Sequence, residues 1–348
     1  EAVPAFLASC AKLAEQGDDA RIGVAGVSGR ARDWRGACAE AARVVAGDDD
    51  DARRFFERAM IPYEVRGASG TEGKLTGYYV QPLRGARTRH GPYQTPLYAR
   101  PSDLVSIDLE RFIPDARARR LWGRLDAASG ELHPYPTRRE IRAGALAGKG
   151  LELVWVDDPI DALFAQIEGS GKVTLDDGSV AWLEFAGKNG QPYAGVGRIL
   201  REAGELAAGE GTMDGIRAWF RAHPERFDEI VDRNRSFVFF ALSPSPGAIG
   251  SQKVTLTARR SLAVDRAFVA ASTPVWVDTV APRPGRRGTA PWRHLLIAQD
   301  TGGGIRGAVR GDIYWGDDAE AADLAGRMGD KGRYWLLLPR GLTVTSAK

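Results

Sequence analysis

Residues 295–316 read LLIAQDTGGGIRGAVRGDIYWG, and the reading of the whole chain turns on them. Leu295, Leu296, Ile297 and Ala298 make an apolar run of strand length. Asp300 enters a turn of Thr301, Gly302, Gly303 and Gly304, and the chain leaves through Ile305, Arg306 and Gly307. It then reaches Arg310, Gly311 and Asp312 before a second strand, Ile313-Tyr314-Trp315. This pattern predicts two carboxylates near the ends of adjacent short strands, joined by backbone that needs glycine to bend so tightly. A sugar or peptide backbone can approach such a place closely, with Tyr314 and Trp315 as an apolar wall. The plainer reading is a hairpin carrying two solvated aspartates.

The rest of the chain bears on that choice. Its 348 residues exceed one small core and fit two domains, or one with an insertion. An apolar fraction of 43% and a charged fraction of 27% are those of a globular protein. The net charge of +3, with basic residues mixed among acids, argues against a nucleic-acid partner. No apolar run approaches the roughly 20 residues of a membrane helix. Nothing at Glu1 resembles a signal peptide, which reads as a mature or trimmed form. Cys10 and Cys38 permit either one disulfide or two independent buried thiols. Neither CxxC nor HExxH occurs and the four histidines are scattered, so no zinc site is expected.

Helical spacing covers 4–16, 33–46 (with Asp33 as N-cap) and 50–60. Short strands punctuated by Gly and Pro follow, including 75–83. Thr137 and Glu140 form a capping box for a helix over 137–146. A strand over 151–158 precedes a helix from Asp158 to Gly169, and Asp177-Gly178 marks a hairpin turn. Three more helices are predicted over 194–207, 212–222 and 225–234. The loop SPSPGAIGSQ after 236–242 reads as a domain crossing, and from Val254 onward the chain is mostly short strands.

Three groups carry candidate chemistry. The first is Asp265, Asp300 and Asp312, because glycosidic cleavage works through positioned carboxyl groups. One carboxyl suffices where the nucleophile is a hydroxyl already on the substrate, provided burial or a like charge keeps it protonated near neutral pH. Asp317 and Asp318 read instead as a solvated helix start. The second group is Thr76, Gly77, Tyr78 and Tyr79 with Tyr93, suited to stacking on sugar rings. The third is Glu168, Gly169 and Ser170 with Lys188 and Asn189. GKNG lacks the spacing of a phosphate loop, and no GxSxG elbow is present.

Taken together, GKLTGYYVQPLRGARTRHGPYQTPLYARPSDL (73–104), TRREIRAGAL, QIEGSG, AGKNGQPY, NRSFVFF and AQDTGGGIRGAVRGDIYWG resemble the membrane-bound lytic murein transglycosylase A family, in order and over roughly 50–340. The resemblance implies a mainly β fold with helices. A double-psi β-barrel domain (1–79 plus 247–348) would carry an inserted β-rich, barrel-like substrate domain (80–246), with a groove between them. It implies cleavage of the β-1,4 bond between N-acetylmuramic acid and N-acetylglucosamine, leaving 1,6-anhydromuramoyl ends. The chemistry so implied requires no metal and no organic cofactor. The family's catalytic aspartate falls on Asp312 and two further aspartates on Asp265 and Asp300. Thr76, Gly77, Tyr78, Tyr79, Tyr93, Glu168, Gly169, Ser170, Lys188, Asn189, Gly302 and Gly303 would bind the glycan. Glu168 stands where the family commonly has Gln. Peptidoglycan strands would be the partner of a monomer in the periplasm. Attachment to the outer membrane would be through a lipidated N-terminus that this sequence lacks. An inverting hydrolase on the same fold, or a non-catalytic glycan-binding module, are the rival readings.

Overall fold

A computed structural model describes residues 1–23, 26–113, 120–207 and 211–344. The chain divides into two compact units, Glu1–Tyr79 with Ile249–Lys348, and Val80–Ala248.

In the first unit six strands close a ring. Ser261–Val264 runs parallel to Thr289–Asp300 and antiparallel to Gly311–Tyr314, which in turn runs parallel to Gly73–Tyr78. Gly73–Tyr78 meets Lys331–Pro339 through the pairs Lys74–Lys331 and Gly73–Gly332. Lys331–Pro339 then leads through Pro274–Pro282 back to Thr289–Asp300. Met60–Glu64 pairs along the remaining edge of Lys331–Pro339. Closure depends on two glycines, because there is no space for side chains where the ring meets. A Cβ on Gly73 would sit 1.6 Å from the Val309 carbonyl oxygen, and one on Gly332 would sit 2.5 Å from a Leu75 methyl.

Alternation along these strands buries Leu75, Val275, Val277, Leu296, Ile313, Tyr334, Leu336 and Leu338. Each large apolar side chain so buried contributes roughly 1.5–3 kcal/mol. Helices Ala2–Ala14, Ala31–Ala41 and Asp49–Ala59 add Phe6, Trp34 and Phe55 to the same core. Gln299 Nε2 donates to the Ala5 carbonyl (2.8 Å), tying the first helix to the long strand. Of the two readings of the cysteines the disulfide holds: Cys10 and Cys38 are bonded and join the first two helices.

Two local expectations need correction. The second helix starts at Ala31, and Asp33 is its third residue, accepting from the Arg30 amide (2.7 Å). The strands of Asp300 and Asp312 are not adjacent either. Ser261–Val264 lies between them, so residues 295–316 are no hairpin. Nor do the turn glycines all serve tight bending: of Gly302, Gly303, Gly304 and Gly307 only Gly307 has a positive φ, 118°.

The second unit holds a six-stranded sheet in the order Val238–Leu242, Val180–Lys188, Ser170–Leu175, Gln81–Ala86, Glu152–Val156, Thr95–Tyr98. Its two ends meet at a bridge between Ala99 and Phe240, so the sheet is nearly closed. The hairpin turns at Asp177-Gly178 as expected, with Gly178 at φ 83°. Pro159–Glu168 has Asp158 as N-cap and Gly169 as left-handed C-cap. This helix joins Val196–Glu202, Met213–Ala222 and Phe227–Asp232 in a separate apolar cluster. A three-stranded sheet is formed by Leu104–Asp108, Arg120–Leu125 and Leu132–His133. The helix expected over 137–146 has its capping box, but after Arg138–Glu140 it widens to a π turn and Gly144 leaves helical geometry at φ 106°.

Candidate active site

Ala263 pairs with Asp300 on one side and with Asp312 on the other, and Asp312 pairs with Thr76. Residues opposite one another on neighbouring strands present their side chains to the same face. Asp300, Ala263, Asp312 and Thr76 therefore form a row across the barrel wall. The only side chain between the two carboxylates in that row is a methyl group. Asp265 follows at once from the end of the middle strand, so three consecutive strands deliver the three acids.

Hydrogen bonds fix the row. Thr76 Oγ1 donates to Asp312 Oδ1 at 2.6 Å. Tyr78 Oη donates to Asp300 Oδ2 at 3.0 Å, and the Ser251 and Thr301 amides donate to its Oδ1 at 2.9 and 2.8 Å. The rings of Tyr78 and Tyr314 lie 5.4 Å apart beside the acids. Gly77 is glycine by necessity, since a Cβ there would stand 2.5 Å from Trp315 Nε1.

Burial pushes the Asp312 carboxyl up to about 6, and the neighbouring Asp300 charge adds to the rise. Arg310, the Thr76 hydroxyl and Lys74 oppose it. Burial raises Asp300 as well, against the pull of the amides of Ser251 and Thr301 and of the Tyr78 hydroxyl. Tyr78 in turn is held far above the usual phenol range, first by burial and then by Asp300, so it stays a neutral donor. The arrangement is therefore an acid poised near neutral pH, still partly open to solvent, beside a second carboxylate locked in place by three donors.

Asp265 has a different setting. It is 4% exposed, its Oδ2 accepts from the Gly307 amide (2.8 Å) and its Oδ1 from the Ala267 amide (3.1 Å). Its carboxylate thus anchors the loop that carries Gly302 and Gly303. A Cβ on Gly303 would meet nothing within 4 Å, so that backbone borders open space. Tyr79, expected at the sugar, lies just past the end of Gly73–Tyr78 and is buried in the core at 5% exposure.

The second unit holds the remaining candidates. Gly169 caps its helix, Ser170 opens the next strand opposite Glu184, and Lys188 ends the following one. The half-exposed ring of Tyr193 adjoins Glu168. Tyr93 packs edge-on against His90. Asn189 needs correction. It is fully buried, its amide donates to the Pro136 and Arg235 carbonyls, and its Oδ1 accepts from the Phe237 amide. With its polar atoms so used, it holds three segments together and offers nothing to a sugar.

Sequence reasoning missed Ser251, whose amide reaches Asp300 from the Pro/Gly/Ser loop. No motif marks a backbone donor. Among the described residues no group of three or more His, Cys, Asp or Glu could hold a metal ion, and no helix is long and apolar enough to cross a membrane.

Comparison with known proteins agrees in both units. A family model described as the MltA specific insert domain matches residues 74–241, and one described as a 3D domain matches residues 260–338. Membrane-bound lytic murein transglycosylase A of Escherichia coli strain K12 is 30% identical over 291 residues, 82% of this chain and 72% of that protein. A solved membrane-bound lytic murein transglycosylase from Agrobacterium tumefaciens superposes with a TM-score of 0.83 at 30% identity, over 98% of this chain and 94% of that one. The crystal structure of Escherichia coli MltA with bound chitohexaose gives a TM-score of 0.68 at 28% identity, over 88% and 83%. The chain shares the fold of these structures, a double-psi β-barrel with helices and an inserted β-rich domain.

Proposed function

The chain belongs to the membrane-bound lytic murein transglycosylase A family, and from that premise we propose that Asp312 alone serves as acid and then as base in cleaving the murein glycan. Its activity is that of a peptidoglycan lytic transglycosylase, a lyase-type cleavage. The finer chemistry follows from the site. Asp312, protonated, gives its proton to the oxygen of the β-1,4 bond between N-acetylmuramic acid and N-acetylglucosamine. The resulting carboxylate then takes the proton of the muramoyl C6 hydroxyl, which attacks C1 and leaves a 1,6-anhydro ring. Both transfers involve oxygens on one side of the sugar, so one group can perform them in sequence. General acid–base work of this kind supplies about 10²–10⁴-fold.

The observation that carries this reading is an Asp312 carboxyl raised to about 6 by burial while held to a fixed rotamer by Thr76. Asp300, one strand removed and acting on Asp312 through space, supplies a negative charge for the cation developing at C1. Asp265 supports the site by anchoring the 302–307 loop. We assign the glycan contacts of the first unit to Thr76, Gly77, Tyr78, Gly302 and Gly303. Those of the second unit (the substrate domain) fall to Tyr93, Glu168, Gly169, Ser170 and Lys188. The disulfide suits an oxidising compartment. With relatives named membrane-bound in Gram-negative bacteria, this favours the periplasm beside the outer membrane.

Product mass from purified murein is the test. The anhydro route adds no water, so disaccharide-peptides lighter by one water than hydrolysis products are expected, and none with Asp312→Asn. Products carrying the extra water would replace this reading with an inverting hydrolase. Pelleting with murein without release of fragments would leave only a binding module.

A further inference from the structure

Three cations crowd the edge of the barrel next to the catalytic acid. Lys74 and Lys331 are opposite partners where the ring closes. Like charges placed directly opposite on paired strands are destabilising. Arg310 joins them: its guanidinium donates to the Gly311 carbonyl and, at 3.5 Å, to the Lys74 carbonyl. Among the described residues none of the three forms an ion pair. The acids next to them in the chain, Glu72 and Asp330, make none either. On the neighbouring strand pairs two arginines are matched, Arg333 with Glu64 and Arg293 with Asp278.

Its place relative to the chemistry is set by strand alternation. Lys74 lies two residues before Thr76, and Arg310 two before Asp312, so both share the face of the Thr76–Asp312 hydrogen bond. Both also act on the Asp312 carboxyl through space. Beyond that effect on Asp312, a neutral glycan gives these three cations no charge to meet.

We propose that Lys74, Lys331 and Arg310 form a carboxylate-recognition site for the anionic substituent of the muramoyl residue at the bond being cleaved. This deepens the murein reading and rests on it. Two carboxylates of that substrate fit the chemistry: those of the peptide stem, and the lactyl group exposed when the stem is absent. The site selects the charged sugar beside the acid, where a purely neutral polymer such as chitin would gain nothing from it. An anion there also removes the like-charge penalty between the lysines, so binding and barrel closure reinforce each other.

The test is equilibrium binding to the full chain carrying Asp312→Asn, which prevents turnover. Three probes are used: a peptide-bearing muroglycan tetrasaccharide, the same fragment after amidase removal of its peptides, and chitohexaose. Lys74→Met with Lys331→Met is expected to weaken the peptide-bearing fragment about tenfold, within the combined range of two exposed charge pairs. Chitohexaose should be unaffected, which also reports an intact fold. The loss should shrink at high salt. Loss with both fragments shows that the site takes either carboxylate, loss confined to the stripped fragment assigns the lactyl group, and loss confined to the peptide-bearing one assigns the stem. No loss with either, or an equal loss with chitohexaose, overturns the proposal. Because binding is read without turnover, a wild-type chain that releases no anhydro product would sink the proposed chemistry and leave this result standing.

Discussion

The hydroxyl of Tyr78 donates to Asp300 Oδ2 at 3.0 Å, linking the first and last quarters of the chain across the two strands between theirs. A tyrosine that sequence pattern offers as a sugar platform is therefore also part of the electrostatic frame of the acid pair. Tyr78→Phe removes a hydrogen bond to a charged acceptor, about 1.5–3 kcal/mol. We expect kcat/KM on murein to fall at least tenfold, with much of the loss in kcat. A loss carried by KM alone would show Tyr78 to be only a stacking surface.

Asp300 raises Asp312 by repulsion. Replacing it with Asn removes that like charge, so the Asp312 carboxyl falls and is less protonated at neutral pH. The alkaline limb of the kcat/KM profile, set near 6 in the wild type, should move to lower pH. Thr76→Val has the opposite sign, since the Thr76 hydroxyl stabilises the carboxylate form. Limbs that stay put in both variants would mean that the profile reports another group.

How much of this was legible depended on whether the signal was local. The Asp158 cap, the Gly169 stop and the Thr137–Glu140 box are decided within a few residues, and each is found where its residue type places it. The three acids could be singled out because carboxylates beside aromatics and glycine are distinctive. Their alignment could not. Ser261–Val264 intervenes between the strands of Asp300 and Asp312 because the barrel closes from non-consecutive strands, and no periodicity encodes strand order. Asn189 is a sugar contact by resemblance alone, since Gly-Lys-Asn-Gly does not reveal its own burial, and its amide is the knot between Pro136, Arg235 and Phe237. The pairing of Lys74 with Lys331 likewise belongs to tertiary closure.

The burial of Asn189 makes a prediction distinct from that of a binding residue. Asn189→Ala leaves the Pro136 carbonyl and the Phe237 and Gln191 amides without their partner inside the second unit, while the Arg235 carbonyl keeps the Arg138 amide. Each unsatisfied group costs about 1–3 kcal/mol. The variant should therefore melt several degrees lower, yet keep a near-normal KM at temperatures where it is folded. A raised KM with an unchanged melting curve would restore Asn189 as a sugar contact.

The disulfide closes a loop with a sequence separation of 28. On the chain-entropy account, such a crosslink stabilises by about 3–4 kcal/mol. Reduction, or Cys10→Ser with Cys38→Ser, should lower the melting temperature while kcat at 25 °C is retained, because neither helix carries a catalytic group. Loss of activity without loss of melting temperature would place the N-terminal helices in the chemistry.

Asp312 sets function against stability, and the sign can be worked out. Its folded value, about 6, lies above the ordinary 3.8, so folding favours the protonated form. The stability this confers is fully present below 3.8 and is lost as pH rises through 6. At pH 7.5 the wild type thus carries a buried charge that Asn at this position does not. Asp312→Asn should be inactive and more stable at pH 7.5 by about 1–3 kcal/mol, the range allowed for a carboxyl partly open to solvent. That advantage should disappear near pH 4, where both side chains are neutral. Melting curves of the two proteins at the two pH values decide it. A constant difference between them would mean that the Asp312 carboxyl is not raised, and the single-acid chemistry would lose its physical basis.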